Sequence, residues 1–495
     1  MDWLNAVMAK PAGIVGTITN YLVDYCLLFV LIGVGLYFSI RTKFVQVRCF
    51  GEGMRNVFGN LSLRGGKQKG GLSSFQALAT AIAAQVGTGN IVGACAAILV
   101  GGPGAIFWMW VIAFLGMATI YAEAVLAQKT RLIDESGEVH GGPVYYIRTA
   151  FRGRFGKILA GFFAVATIFA LGFAGSMVQS SSITTNIGTA FHIDSGFYWI
   201  VGLVIAVLAA VVFIGGVSRL ASVTEKMVPI MACLYLLGGL VIVIARIRYI
   251  PEAFGMIFRY AFVPNALMGG TFGFALKQAI SMGAKRGLFS NEAGMGSTPH
   301  AHAQANVKTP HEQGITAMIG VFIDTFIVLT MTALVIISTL YAGDGALGDL
   351  LNYDRVAGGL VAPIAKTYPS TELAQMAFSA VFGKTFGPIF VAVCLFFFAF
   401  STILSWNFFG KINFQYLFGK KGTAVYTVLA VIFVFLGSVF ENNFVWNLSD
   451  LFNNLMVIPN VIGLVALGSM VFASARTKGA CDLPQVEGDA TAEEE

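Results

Sequence analysis

Charge is scarce in this sequence: Asp, Glu, Lys and Arg make up 11% of its 495 residues, against roughly 25% in an average soluble domain. With 57% hydrophobic residues, that scarcity excludes a water-soluble fold and points to a chain that crosses a bilayer many times. Cysteine is sparse too. The six, Cys26, Cys49, Cys95, Cys233, Cys394 and Cys481, contain no C-x-x-C pair and mostly lie in apolar segments, which argues against a disulfide framework or a structural metal site. Nothing matches the phosphate-binding pattern G-x-x-x-x-G-K-[ST], so ATP is not the expected energy source. The five histidines, His140, His192, His300, His302 and His311, fall in predicted loops, and the His300/His302 pair lacks a third ligand at useful spacing. No nucleophile or acid/base set emerges. The expectation is a protein that is not an enzyme and uses neither a cofactor nor a structural or catalytic metal. Its net charge of +6 sits in loops between apolar runs, where it reports topology and not a nucleic-acid partner. Met1 to Gly13 has no basic region followed by a short apolar core, so insertion is expected to use the first spanning helix.

What is present is a series of about eleven runs near the ~20 apolar residues that a spanning helix needs, at approximately 14–40, 75–100, 104–128, 157–184, 197–216, 227–245, 261–290, 314–341, 386–409, 423–440 and 454–474. The loop after the first run holds Arg41, Lys43, Arg48, Arg55, Arg64, Lys67 and Lys69, and positive charge marks the cytoplasmic side. The expected product is a multi-pass protein of the cell (inner or plasma) membrane, N-terminus outside and C-terminus cytoplasmic. The outer cluster Arg246, Arg248 and Arg259 is the weakest point of that assignment. Tyr341 to Thr385 is expected to contain short surface helices, and residues 477–495, acidic and without apolar periodicity, to be disordered.

The second run is the informative one. ALATAIAAQVGTGNIVGACAAILV, Ala77 to Val100, carries Gln85, Gly87, Thr88, Gly89 and Asn90 near its middle. Non-helical backbone at mid-membrane depth survives only where protein buries it or it lines a water-filled cavity, and two glycines weaken a helix by roughly 1 kcal/mol each against alanine. A broken helix exposes N–H groups from one half and carbonyls from the other, which suits a carboxylate and a cation at the midplane. The competing reading is a small-residue helix interface. A second interruption is expected in the seventh run, where Gly269, Gly270, Gly273 and Gly283 mix with Lys277 and Gln278. The second and seventh runs are five spans apart, an odd offset, so they enter the membrane from opposite sides, the signature of two inverted five-helix repeats. The fold class read here is an all-α polytopic membrane protein: residues 1–74 as an extra N-terminal helix and basic loop, 75–260 and 261–476 as the two repeats, and 477–495 as a tail.

GGPGAIFWMWVIAFLG, Gly101–Gly116, taken alone is a tight outer hairpin with Trp108 and Trp110 near the interface. Together with AQVGTGN at Ala84–Asn90 and GAKRGLFSNEAGMGS at Gly283–Ser297, it resembles the signatures of the alanine or glycine:cation symporters, the sodium:alanine symporter family. The resemblance runs from the first span to the last and implies the leucine-transporter fold. It also implies a site. Gln85 and the stretch Val86, Gly87, Thr88, Gly89 and Asn90 match that fold's discontinuous first core helix, whose N–H groups meet the substrate carboxylate. Carbonyls of Ala83 and Val86 with the hydroxyls of Ser401 and Thr402 would hold sodium, a hard cation that prefers oxygen. Gln179 resembles the family's polar substrate contact, Trp406 would wall the pocket one turn beyond Thr402, and Phe272, Gly273 and Phe274 are candidates to cap it. For Ser401 and Thr402 the alternative is bonding to the preceding turn; for Gln179 it is interhelical bonding; for Trp406 it is an interfacial position.

Charged residues inside spans are costly and usually functional. Asp324 is read as a second cation ligand or a helix-pairing group. Lys277 is read as a partner of Glu123 or Asp324, as a snorkelling side chain, or as a stand-in for a cation. Glu123 is expected near the inner interface, and Lys285, Arg286 and Glu292 as a charge network closing the cytoplasmic path. The function expected is sodium-driven symport of a small neutral amino acid, alanine or glycine, by alternating access, with a proton-coupled or exchange-mode carrier as the alternative. The partners expected are the amino acid, sodium and the lipid bilayer.

Overall fold

The computed structural model describes residues 27–59, 72–135, 137–262, 272–348 and 369–476, with part of 13–22. The structure is built of helices. Leu28–Arg41 (α1), Val45–Arg48 (α2) and Phe50–Gly59 (α3) precede Ser74–Gln85 (α4) and Gly89–Gly101 (α5). Then follow Ala105–Thr130 (α6), Pro143–Ala150 (α7), Gly153–Phe191 (α8), Ser195–Ile214 (α9), Gly216–Ala245 (α10) and Ile250–Phe262 (α11). Phe272–Asn291 (α12), Pro299–Ala303 (α13), Pro310–Tyr341 (α14), Ser370–Phe382 (α15), Phe386–Phe418 (α16), Thr423–Leu436 (α17), Asn442–Ala466 (α18) and Gly468–Arg476 (α19) complete the series. Two short ribbons tie loops: Leu72–Ser73 pairs in parallel with Ala305–Asn306, and Leu132–Ile133 antiparallel with Val139–His140.

Among the described residues seven helices are long and apolar enough to cross a membrane, or eight when α4 and α5 count as one span. About eleven were expected. Within the described residues α1 and α17 are each 14 residues, and α12 carries Lys277, Gln278, Lys285 and Arg286 within 20 residues, so none of the three counts among those seven. The last run is also displaced: α18 begins at Asn442, not near 454, because polar Asn453, Asn454 and Asp450 are buried against neighbouring helices instead of ending the span. Residues 477–495 and 349–368 lie outside the described residues; α15 is one helix within the expected outer segment.

α6 and α16 are mostly buried and form the centre, whereas α9 and α10 expose most of their apolar surface. Val204, Val207, Leu208 and Val211 on α9 and Leu237, Val241 and Ile244 on α10 all face outward. An apolar face of that extent suits lipid. Trp108 and Trp110, expected at the interface, are part-buried and tied inward: Trp108 Nε1 donates to the Ala261 carbonyl at 3.1 Å and Trp110 Nε1 to Thr330 Oγ1 at 2.8 Å.

α4 starts with a reciprocal cap: Gln76 N donates to Ser73 Oγ at 3.1 Å and Ser73 N to Gln76 Oε1 at 3.2 Å, which fixes two otherwise orphaned donors. It stops after Gln85, where Val86 adopts φ −80° and ψ 85°, and α5 departs at 45°. The first expected break is therefore present. For the second, the described residues show α12 running without interruption from Phe272 through Gly273 and Gly283 to Asn291, and after it the chain leaves helical geometry at Glu292–Thr298. There Glu292, Gly294 and Gly296 take φ of +57°, +92° and +81°. Glycine has no Cβ to penalise that region, so Gly294 and Gly296 are the residues that permit the turn; Gly283 instead packs on Trp108 and Ala105. Gly269 and Gly270 lie outside the described residues.

Candidate substrate and cation site

At the first break most backbone donors already have partners. Asn90 turns back so that its Oδ1 accepts from Gly87 N at 3.0 Å, and Gln179 Oε1, from α8, accepts from Thr88 N at 3.1 Å. Two polar atoms beside that second bond are buried with no hydrogen-bond partner: Thr88 Oγ1 and Gln179 Nε2. Leaving a buried polar atom unpaired costs about 1–3 kcal/mol, so this pair marks where a ligand's polar group fits. Of the amides expected to meet a carboxylate, those of Gly87 and Thr88 are satisfied internally; the open groups are side chains. Gln85 points the other way, its Nε2 donating to the Asn291 carbonyl at 2.9 Å, which ties the first break to the second.

Space is as tight as the bonding. A Cβ on Gly87 would overlap Thr402 Oγ1, and one on Gly89 would sit 2.9 Å from Ser290 Cα. The expected hydroxyl pair meets the end of α4: Thr402 Oγ1 lies 2.9 Å from the Ala83 carbonyl and 3.4 Å from that of Ala84, and Ser401 Oγ lies 3.4 Å from Ala83 O. Both hydroxyls also reach the Phe398 carbonyl in their own helix, at 2.8 Å and 3.1 Å. Val86 occupies the turn itself, its N–H on the Ile82 carbonyl at 2.7 Å.

Asp324, in the π-helical stretch Phe322–Leu329 of α14, is fully buried among neutral donors. Asn90 Nδ2 donates at 2.6 Å, Ser290 Oγ lies 3.1 Å and 3.0 Å from its two carboxylate oxygens, and Thr325 Oγ1 lies 2.7 Å from Oδ2. Asn90 thus links the backbone of the first break to this carboxylate. Lys277 is exposed on α12, and 14 residues of helix at 1.5 Å each put it about 20 Å along the axis from Asn291. Phe272, Gly273 and Phe274, the candidate cap of the pocket, begin α12, at the opposite end of that helix from Glu292–Thr298; their side chains lie outside the described residues.

Trp406 is 1% exposed, in the protein centre and not at an interface. Its ring packs edge-on to Phe289 at 5.8 Å and against Gly175, and its indole N–H donates to Glu292. The other oxygen of Glu292 accepts from Ser297 Oγ. Glu292 is therefore no part of a network with Lys285 and Arg286. Those two pair with Asp450 on α18, at 3.0 Å and 3.4 Å, and Arg286 lies 4.5 Å from the Trp446 ring. α5 and α12 run antiparallel, Gly89 beside Ser290, Gly93 beside Arg286 and Gly101 beside Met282. The Asp450 cluster thus lies on the Gly101 side of the break.

Glu123 is fully buried too. Its carboxylate fills the second break, accepting from Gly294 N at 3.2 Å, Gly296 N at 3.0 Å and Asn460 Nδ2 at 2.6 Å, while Tyr146 donates to Asn460 Oδ1. Ser290, Glu123, Asn460 and Ser297 went unnamed as site residues. The available signal was an ionisable residue inside an apolar run and the two glycines of NEAGMGS. His300 and His302 are buried on α13, not in an open loop; His300 Nε2 meets Asn413 Nδ2 at 2.8 Å and His302 Nδ1 meets Gln313 Nε2 at 2.8 Å.

Two interrupted helical spans whose polar breaks face each other at the centre of an apolar helical body define a membrane transporter of the leucine-transporter fold. The crystal structure of MhsT in complex with L-phenylalanine is similar, with a TM-score of 0.59 at 13% identity, over 83% of this chain and 97% of that one. The profile of the sodium:alanine symporter family matches residues 8–478, and the chain belongs to that family. It is 38% identical over 464 residues to the sodium/alanine symporter AgcS of Methanococcus maripaludis, covering 94% of this chain and 96% of that protein. It is 36% identical over 451 residues to the amino-acid carrier protein AlsT of Bacillus subtilis, covering 90% and 88%. The protein is thus a multi-pass transporter and not an enzyme.

Proposed function

We propose that the protein couples sodium entry to uptake of a small neutral amino acid, alanine or glycine, by alternating access between repeats 75–260 and 261–476. The observation that carries this reading is the unpartnered pair Thr88 Oγ1 and Gln179 Nε2 beside the first break. Both can donate, and together they suit the carboxylate of a zwitterion better than an uncharged solute. Sodium binds between the Ala83 and Val86 carbonyls and the hydroxyls of Ser401 and Thr402, with Asp324 holding a second cation among Asn90, Ser290 and Thr325. Trp406 limits the side chain to hydrogen or methyl. Substrate and sodium favour the same closed state, and each strengthens the other's binding by the same factor. The N-terminus faces outward and the tail inward.

Uptake of labelled alanine into proteoliposomes is expected to require an inward sodium gradient and to be competed by glycine. Equal uptake driven by protons with sodium absent overturns the cation assignment. One observation favours that second reading, proton coupling: Glu123, Glu292 and Asp324 are all fully buried and their hydrogen-bond donors are neutral groups, which makes each a candidate to carry a proton through the cycle.

A further inference from the structure

We propose that Cys49, Glu52 and His311 form a binding site for a divalent transition-metal ion of the zinc class, separate from the transport site. Cys49 and Glu52 are spaced i, i+3 at the start of α3, which sets them on one helix face; His311 comes from the first turn of α14. The ligating atoms of the three all lie within 4.8 Å of one another. Cys49 is 1% and His311 4% exposed, while Glu52 is half-buried and opens the site to solvent.

Three further features suit a metal. Tyr121 OH lies 2.7 Å from His311 Nδ1. A ligating imidazole is oriented by a hydrogen bond on its other nitrogen, so Nε2 is the atom directed to the metal. The donor set is thiolate, imidazole and carboxylate, a sulfur, nitrogen and oxygen combination that suits zinc and its neighbours and not sodium. Three protein ligands leave the fourth tetrahedral position to water. Thiolate and carboxylate together balance a dication, and Arg48, the nearby cation, is turned away, its guanidinium on the Thr42 and Ala475 carbonyls at 3.3 Å and 3.0 Å. Binding releases the thiol proton to solvent.

The contrasting cluster, Asp134, Glu138 and His140, fails on the same criteria: it has no sulfur ligand, and Lys420 Nζ already lies 2.8 Å from both carboxylates. At the Cys49 site the metal clips α3 to α14. These helices are in close contact, a Cβ on Gly53 falling 2.8 Å from Ile319 Cγ1 and 3.0 Å from the Ile315 carbonyl. α14 also carries Asp324, so a metal here restrains a helix of the transport site.

The test is a cobalt(II) titration of the purified full-length transporter. One equivalent is expected to give the near-ultraviolet thiolate-to-cobalt charge-transfer band and the visible bands of a tetrahedral site, in the parent and in Cys233→Ser alike. Cys49→Ser is expected to lose the charge-transfer band, Glu52→Gln to weaken binding at least tenfold, and Tyr121→Phe to weaken it about 10- to 100-fold. Absence of the band at saturating cobalt, or an undiminished band in a folded Cys49→Ser protein, overturns the site. Should Cys49→Ser not fold, unchanged cobalt affinity in both Glu52→Gln and Tyr121→Phe does so.

Discussion

The two breaks face each other across the centre of the protein but are held in different ways. The first, Val86–Thr88, is neutral: its amides rest on the side-chain carbonyls of Asn90 and Gln179, and Thr88 Oγ1 and Gln179 Nε2 are left over. The second, Glu292–Thr298, is built on carboxyl groups. Glu123 takes up the Gly294 and Gly296 amides, and Glu292 binds Trp406 and Ser297. Both oxygens of each carboxyl group already have a donor, so in the proposed reading the second break is the wall and the unpartnered pair at the first meets the ligand.

The largest way to break that contrast is to fill the first turn. Gly87→Ala drives a methyl into Thr402 Oγ1, and overpacking of about 1–3 kcal/mol in the proposed cation site is expected to abolish sodium-driven alanine uptake. Gly93→Ala, whose Cβ meets nothing nearer than 3.9 Å, is the control and is expected to keep uptake near the parent's. Next comes the wall. Glu123→Gln replaces an acceptor by an amide that must face the Gly294, Gly296 and Asn460 donors, at about 1–3 kcal/mol. It is expected to lower the melting temperature in detergent and the maximal uptake rate while leaving the half-saturating sodium concentration unchanged. Thr402→Ala is expected to do the reverse, raising half-saturating sodium about tenfold, the equivalent of roughly 1.4 kcal/mol, with little change in melting.

Trp406→Phe removes the bond to Glu292 and shortens the ring. It is expected to improve uptake of serine or valine relative to alanine by about tenfold, the range of one methylene in a pocket, read from a competition panel. The smallest effect lies away from both breaks. Arg246 sits 2.5 Å from exposed Asp344 and holds its carboxyl below the usual range. A lowered folded-state pKa adds stability that is present at neutral pH and lost as pH falls through that lowered value. Asp344→Asn is therefore expected to melt marginally below the parent at neutral pH, with the gap closing in acid, since exposed ion pairs contribute little.

How much of this could be read in advance differs between the breaks for a physical reason. The first was legible because Gln85, Gly87, Thr88, Gly89 and Asn90 interrupt an otherwise apolar run, and Thr402 and Gln179 both reach the chain at that break. The second was less legible. Composition favoured Gly269, Gly270, Gly273 and Gly283; the first two lie outside the described residues, Gly283 makes room for Trp108 inside a continuous helix, and the positive φ that ends α12 falls at Glu292, Gly294 and Gly296. Side-chain pairing was less legible still. Glu123 is joined to Asn460 and Asp450 to Arg286 across more than a hundred residues of chain, and no local pattern records such a partnership. The same distance hides Cys49, Glu52 and His311, which form no ligand spacing in the sequence and meet only when α3 lies on α14.

The difference between the two breaks is tested most directly by equilibrium binding of labelled alanine, with and without sodium, to Gln179→Glu and Glu123→Gln. The first change adds negative charge where the substrate carboxylate is proposed to sit, and like charges in contact cost several kcal/mol. Alanine affinity in sodium is expected to fall at least about 100-fold in Gln179→Glu and to stay within a few-fold of the parent in folded Glu123→Gln. Unchanged affinity in Gln179→Glu, or loss of binding confined to Glu123→Gln, would contradict the assignment of the first break as the substrate surface.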